Sequence, residues 1–326
     1  MATAVAPEGI QDDKAEHVIP FVLDLLHQHE KKHAAASPFT PAPPLFIGLT
    51  APQGAGKSVL VSLLEQSLTS PPHNLPTTIF SLDDFYLPHE GLLELAKANS
   101  DNPLLQHRGQ PSTHDVPLVH SVFASLKENR LTKIPQFNKA AYDGHGDRVS
   151  EEKWIEVNTD PSNPVRVILL EGWCVGFRPL SAQEVRAKQQ TAARAAQRPD
   201  SLYQGRLGHN SLENVLTINT ALTDYDTITS QLDGLIHIDA EDPLYVYAWR
   251  QEQEHNLIKA KGSGMSDEQV KIFIDGYYPS YELYVAGMRA GIFRTLSEDG
   301  FDSDAKGLQL RLVVGKDRKV KKVERI

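Results

Sequence analysis

Lys57, Ser58, Asp83, Glu171 and Arg250 are the side chains of this 326-residue chain whose types and settings suit phosphoryl transfer. Lys57 and Ser58 close the stretch Gly48-Leu49-Thr50-Ala51-Pro52-Gln53-Gly54-Ala55-Gly56-Lys57-Ser58. Gly54 and Gly56 let the backbone turn its amides inward around phosphate oxygens. Lys57 can then reach the β- and γ-phosphates, and the Ser58 hydroxyl can ligate Mg²⁺. The first loop position is Ala51, where the strict motif has glycine. Gln53, Gly54, Ala55, Gly56, Lys57, Ser58 and Val59 form the expected nucleotide-binding stretch. A helix starting near Gly56 adds its positive end to the anion site. Alone, such a loop says only that the ligand is a nucleoside triphosphate or another phosphate.

The neighbouring groups narrow the chemistry. Phosphoryl transfer needs the γ-phosphate charge neutralised and an acceptor hydroxyl held in line. Asp83, in Ser81-Leu82-Asp83-Asp84-Phe85-Tyr86, is placed to take that hydroxyl's proton or to orient it. Asp84 beside it suits a turn cap. Glu171 ends the apolar run Val165 to Leu170 and can hold Mg²⁺ directly, through water, or pair with Lys57. Arg250 follows Tyr245-Val246-Tyr247-Ala248-Trp249. Its fork suits a transferred phosphoryl group bidentately, or an ion pair with Glu252 or Glu254. The aromatics before it read as packing.

A second set lies after Tyr86. Arg108, His114, Asp115, Lys139, Tyr142 and Arg148, with Gly109, Gly144 and Gly146, suit a small anionic, hydroxylated acceptor. Arg and Lys would take its carboxylate, Asp and His its hydroxyls; Asp84 and Tyr86 complete the candidate acceptor group. His114 and His145 with acidic neighbours match no metal-ligand spacing.

Composition narrows the partners. Thirty-three basic residues against 42 acidic give a net charge of -9, without the clustered Lys and Arg that nucleic-acid binding needs. No apolar run approaches the roughly 20 residues of a membrane span. Cys174 stands alone, which fits a reducing compartment and leaves no disulfide framework. Acidic residues at 8, 12 and 13 and the lack of an apolar leader core predict a cytoplasmic protein. Oligomeric state is not legible.

Positioning these groups falls to alternating strands and helices. Residues 1–13 read as disordered, and Val18, Phe21, Val22, Leu25 and Leu26 give 14–32 a helical stripe. Strands are expected at 44–47, 77–82, 165–170 and 235–238, and two more at 308–314 and 320–326. Helices are expected after the phosphate loop and over 116–129, 182–198, 211–229, 243–257 and 266–290, the last capped by Ser266. The Ala/Gln/Arg-rich stretch 180–210 reads as a mobile surface insertion, whose deletion would cost modest acceptor affinity at most. The basic run 316–325 reads as a solvated strand edge. The pattern predicts a three-layer α/β fold of the P-loop type, with a mostly parallel sheet and ligands at the strands' carboxyl ends. Residues 1–43 would form a tail and helix, and 44–326 the catalytic domain.

With these residues in view, the chain resembles the D-glycerate 3-kinase family of plants and its fungal relatives. That family lies within the uridine kinase, phosphoribulokinase and bacterial pantothenate kinase group. The matching stretches are APQGAGKS (51–58), SLDDFY (81–86), HRG (107–109), THD (113–115), YDGHGDR (142–148), LLEGW (169–173) with GF (176–177), DPLYVYAWR (242–250) and GMSDEQV (264–270). They run in family order across most of 45–290. The resemblance implies ATP and Mg²⁺, phosphate cradling by Gly54 to Ser58, a catalytic carboxylate at Asp83, and a helical lid carrying Arg250 and spanning 250–267. The insertion at 180–210 is longer than the plant pattern. The leading expectation is transfer from ATP to a hydroxyl of D-glycerate. The alternatives are another acceptor (a nucleoside, a pantothenate-like molecule or another sugar acid) or a regulatory ATP-binding protein, for which an acceptor base at Asp83 would serve no purpose.

Overall fold

The structure is a computed structural model that describes residues 12–293, 296–297, 300–301 and 306–326. The disorder expected over 1–13 thus falls mostly outside the described residues. Asp12 and Asp13 are placed, and Asp13 accepts a hydrogen bond from Val320 N at 3.0 Å.

Six strands make the central sheet: β1 (Leu45–Thr50), β2 (Thr77–Ser81), β3 (Val167–Gly172), β4 (Gly234–Ala240), β5 (Gln309–Val314) and β6 (Val320–Arg325). Their order across the sheet is β6-β5-β4-β1-β3-β2. Every pairing is parallel except β5 with β6. β1 and β4 are buried along their whole length, the continuous apolar pattern of strands covered on both faces.

Alternation along β1 sorts the two faces. Leu45, Ile47 and Leu49 join the core formed with α1 (Ala15–Ala36) and α2 (Lys57–Thr69), while Phe46 joins the opposite core. That second core is built by α4 (Val116–Lys127), α5 (Ala182–Ala196), α6 (Leu212–Thr229) and α8 (Asp267–Ala290). The five apolar residues of the predicted N-terminal stripe are the ones α1 buries. Each such burial contributes roughly 1.5–3 kcal/mol gross, so α1 is part of the core.

Two elements depart from the sequence reading. The polar stretch after Tyr86 contains a helix, α3 (His89–Ala98), that buries no residue and so leaves no apolar signature. The expected mobile appendage at 180–210 is docked on the core. Val185 is fully buried, and Lys188 Nζ donates to Leu283 O at 2.9 Å. Glu282 of α8 accepts from Tyr203 Oη at 2.6 Å and from the amides of Arg206 and Leu207 at 2.7 Å each. The expected lid region, 250–267, begins within α7 (Tyr245–Lys261), which is capped at Gly262, and runs into α8 through the Ser266 capping box.

Candidate active site

Strand register assembles the site. Glu171 of β3 lies opposite Leu49 of β1 on one side and Ser81 of β2 on the other. The phosphate loop leaves β1 just beyond Leu49, and Asp83 follows Ser81 in a short 3-10 turn. Backbone pairing thus brings Glu171, the turn carrying Asp83 and the start of the phosphate loop to one end of the sheet, and the loop carries Lys57 and Ser58 there.

The phosphate loop is held from outside. Gly54 has φ +78, and a Cβ there would lie 2.6 Å from Trp249 Cβ of α7, so no side chain fits. Ala55 is fully buried, and Gln53 accepts from the Tyr281 hydroxyl of α8. Arg318, in the hairpin between β5 and β6, donates from Nε to Gly54 O at 2.7 Å. It also pairs with Glu252 at 2.9 Å and lies 5.8 Å from the Trp249 ring centre. The run 316–325 is thus a solvated edge only in part, because Arg318 turns inward and fastens the loop. From the N-terminal side, the buried Lys14 ends 3.8 Å from where a Gly56 Cβ would sit.

Lys57 forms an ion pair with Glu171, both largely buried. Ser58, beside Val59 in the first turn of α2, is exposed. An exposed hydroxyl and a strand-end carboxylate are oxygen donors of the kind that fit Mg²⁺, a hard ion that takes one or two protein oxygens beside phosphate. Among the described residues no cluster of three or more His, Cys, Asp or Glu side chains offers a separate metal site.

Asp83 takes a 2.5 Å ion pair from Lys139 and a 3.1 Å hydrogen bond from the Tyr86 hydroxyl. Burial would raise its carboxyl, but Lys139, and beyond it Lys57, overrule that and hold it well below the usual carboxylate range. Asp84 points the other way. Its carboxylate accepts from the amides of Phe137 at 3.2 Å and Ser81 at 3.4 Å, stapling the 137–148 loop to the turn. Burial pushes it up to about 6.

Of the remaining candidates, Tyr86 and His114 lie beside Asp83, and Asp115 and Arg148 brace this wall. Tyr86 stacks on His114 with ring centres 4.3 Å apart. His114 Nδ1 lies 2.7 Å from the Tyr225 hydroxyl, and its buried Nε2 has no partner among the described residues. Burial depresses the imidazole to about 4. Asp115 caps α4 through Leu118 N at 3.0 Å and takes Arg148 at 3.0 Å. Arg148 also donates to Tyr86 O at 2.8 Å, so its fork is committed to bracing the wall. Arg108 donates to Gly144 O at 2.5 Å and His145 O at 2.6 Å, pinning the 137–148 loop. Tyr142 is exposed and stacks on His89, 3.8 Å away. Arg250 pairs with Glu254 one turn along α7 at 2.7 Å and sits 5.5 Å from the Phe273 ring centre. Of the two roles open for it, this structure shows the ion pair.

Sequence reasoning passed over several residues that line or brace the site: Arg318, Trp173, Tyr225, Tyr277 and Tyr281. Tyr277, Tyr281 and Tyr284 did carry a signal, an aromatic stripe at helical spacing. Trp173 donates to Gly109 O at 3.0 Å and packs edge-on against Tyr277 and Tyr281.

The geometry has counterparts among known proteins. The chain is 36% identical over 244 residues to the uncharacterized kinase mug58 of Schizosaccharomyces pombe, covering 74% of this chain and 81% of that protein. The solved structure of D-glycerate 3-kinase from Cryptococcus neoformans var. grubii matches with a TM-score of 0.83 at 32% identity, covering 97% of this chain and 100% of that one. This chain belongs to the D-glycerate 3-kinase family. The kinase is also 36% identical over 252 residues to the chloroplastic D-glycerate 3-kinase of Arabidopsis thaliana. That match covers 76% of this chain but 49% of the plant protein, so the chain spans about half the plant protein's length. No protein-family model matches. No helix among the described residues is long and apolar enough to cross a membrane.

Proposed function

We propose that this kinase transfers the γ-phosphoryl group of ATP to the 3-hydroxyl of D-glycerate. The observation that carries the reading is Asp83: a carboxylate held ionised by Lys139, two residues beyond the strand position that pairs with Glu171. In the reaction the acceptor oxygen forms a bond to the γ-phosphorus as the bond to the β,γ-bridging oxygen breaks. The hydroxyl proton passes to the Asp83 carboxylate, and ADP leaves. Gln53 to Val59 supply the cradle, and Lys57 exchanges its Glu171 partner for phosphate oxygens. Ser58 and Glu171 are the residues that would hold Mg²⁺, which when bound would supply neutralisation of the phosphate charge. Lys139 is the cation best placed for an anionic acceptor, because its side chain stays 57% exposed beside Asp83 whereas Arg108 and Arg148 are spent on backbone carbonyls. Asp84, Tyr86, His114, Asp115 and Tyr142 shape the wall on which that acceptor rests. Arg250 reaches the transferred group only by leaving Glu254, a movement of the 250–267 lid over the nucleotide.

The partners are then small molecules, with neither nucleic acid nor a membrane involved, and the lone buried Cys174 suits a cytoplasmic setting. The test is ATP consumption by the purified protein with Mg²⁺ in the presence of D-glycerate, L-glycerate, uridine or pantothenate. Stimulation by D-glycerate, with a 3-phosphorylated product, is the expected result. Stimulation by another panel member alone would reassign the acceptor.

A further inference from the structure

Behind the acceptor wall runs a hydrogen-bond chain that nothing in the catalytic reading uses. Ser112 has φ +97, a left-handed conformation that residues with a Cβ rarely adopt. Its amide donates to the Tyr225 hydroxyl at 3.2 Å. That hydroxyl, buried on α6, lies 2.7 Å from His114 Nδ1. The phenol oxygen already accepts from Ser112, and its own proton has a single listener among the described groups, the imidazole. Burial raises the Tyr225 phenol well above its ordinary value, so the proton is there to give. Burial also keeps His114 neutral near pH 7. A neutral imidazole that accepts at Nδ1 carries its one N–H at Nε2.

That Nε2 is buried and has no partner among the described residues. His114 is 5% exposed and cannot swing to find one. Its ring is stacked on Tyr86, and its backbone is pinned by the Gln110–Thr113 turn and by the bridge to Tyr86. Tyr86 in turn donates to Asp83, which places the imidazole beside the reacting carboxylate. A buried donor without an acceptor is costly unless a ligand atom completes it.

We infer that Tyr225 is a positioning residue that fixes His114 as an Nε2–H donor to an oxygen of the acceptor other than the one phosphorylated. This rests on the acceptor reading proposed above and deepens it. Specificity for a hydroxy acid then comes partly from an uncharged donor, which rewards an oxygen lone pair at that point and rejects a methyl group there.

The tautomer is tested separately from the activity. Long-range proton–nitrogen correlation spectra of the ¹⁵N-histidine-labelled protein report which ring nitrogen of His114 carries hydrogen. The Nε2–H pattern is expected, with an Nε2 shift on adding D-glycerate, and a mixed or Nδ1–H pattern is expected in Tyr225→Phe. In kinetics, Tyr225→Phe should raise KM for D-glycerate about tenfold and leave KM for ATP unchanged, the scale of one lost hydrogen bond. His114→Gln, whose amide N–H reaches toward the Nε2 position, should keep most acceptor affinity, and His114→Leu should lose it. An Nδ1–H pattern in the wild type overturns the inference even if Tyr225→Phe fails to fold. Equal losses in His114→Gln and His114→Leu overturn the acceptor contact, as does an Nε2 signal indifferent to D-glycerate. A wild type with the Nε2–H pattern that phosphorylates no acid of the panel would instead sink the function reading and leave the hydrogen-bond chain standing.

Discussion

Asp83 shows how one residue can be half-buried and still charged. Its side chain is 25% exposed, a setting that favours the protonated form, yet Lys139 at 2.5 Å keeps it ionised. Asp83→Asn should abolish phosphoryl transfer and leave ATP binding intact, measured by product formation beside nucleotide titration; survival of both would remove Asp83 from its role. Lys139→Met should move the acid limb of the kcat/KM profile toward neutral pH, because burial then acts on Asp83 with less opposition. An unmoved limb would mean that Lys139 does not set the base. Motif residues were legible because their spacing is dictated by ligand chemistry: 54 to 58 by phosphate, 83 by the end of a strand. The carboxylate division of labour was also readable, since an Asp pair after a strand offers one cap and one free group, and Asp84 takes the amides of Ser81 and Phe137. Arg148 and Arg108 looked in sequence like free cations. Only their backbone carbonyl partners, distant along the chain, reveal them as braces.

Among elements, the segment 180–210 and the hairpin after β5 misled for the same reason. Both make few but decisive contacts through residues that composition labels as surface. α5 buries Val185, Gln189 and Ala192, a narrow strip between charged positions, and the following loop is stitched to Glu282 by three hydrogen bonds. Deleting 180–210 should therefore leave an insoluble or melted protein, because it bares apolar faces of α6 and α8; a folded, active deletion variant with an unchanged melting temperature would show that the docking is dispensable. The long parallel strands, by contrast, were legible to within a few residues, because burial on both faces leaves an unbroken apolar run. α3 shows the opposite limit, as a helix with no buried side chain offers no periodicity to read.

For the whole molecule, two buried histidines set how stability responds to acid. His114 and His237 are 5% and 2% exposed, and burial holds each at about 4, below the ordinary 6.5. The unfolded chain therefore binds protons at these positions before the folded one does, and stability falls as pH drops from 6.5 toward 4. Asp84, raised to about 6, works in the opposite sense, because the folded state keeps that proton after the unfolded state has released it. Below pH 6 Asp84, joined by Asp233 whose carboxyl burial also raises, offsets part of what the histidines withdraw, while His107, lowered by burial, adds to the loss. Thermal melts across pH 4–7 should show this, and His237→Asn should flatten the curve; a melting temperature independent of pH over that range would contradict the assignment.

The grip on Gly54 has a consequence for how the molecule is made. Arg318 lies 264 residues after the glycine whose carbonyl it holds, and Trp249, which closes the same glycine from above, comes from a helix nearly as remote. A nascent chain can pair β1 with β3 and form a nucleotide cradle long before residue 318 has left the ribosome, but that cradle lacks its fastening. Synthesis thus imposes an order of events: the phosphate loop is fastened only when the late-made hairpin folds back onto it. A chain truncated before residue 318 should therefore bind nucleotide more weakly in titration than the full chain.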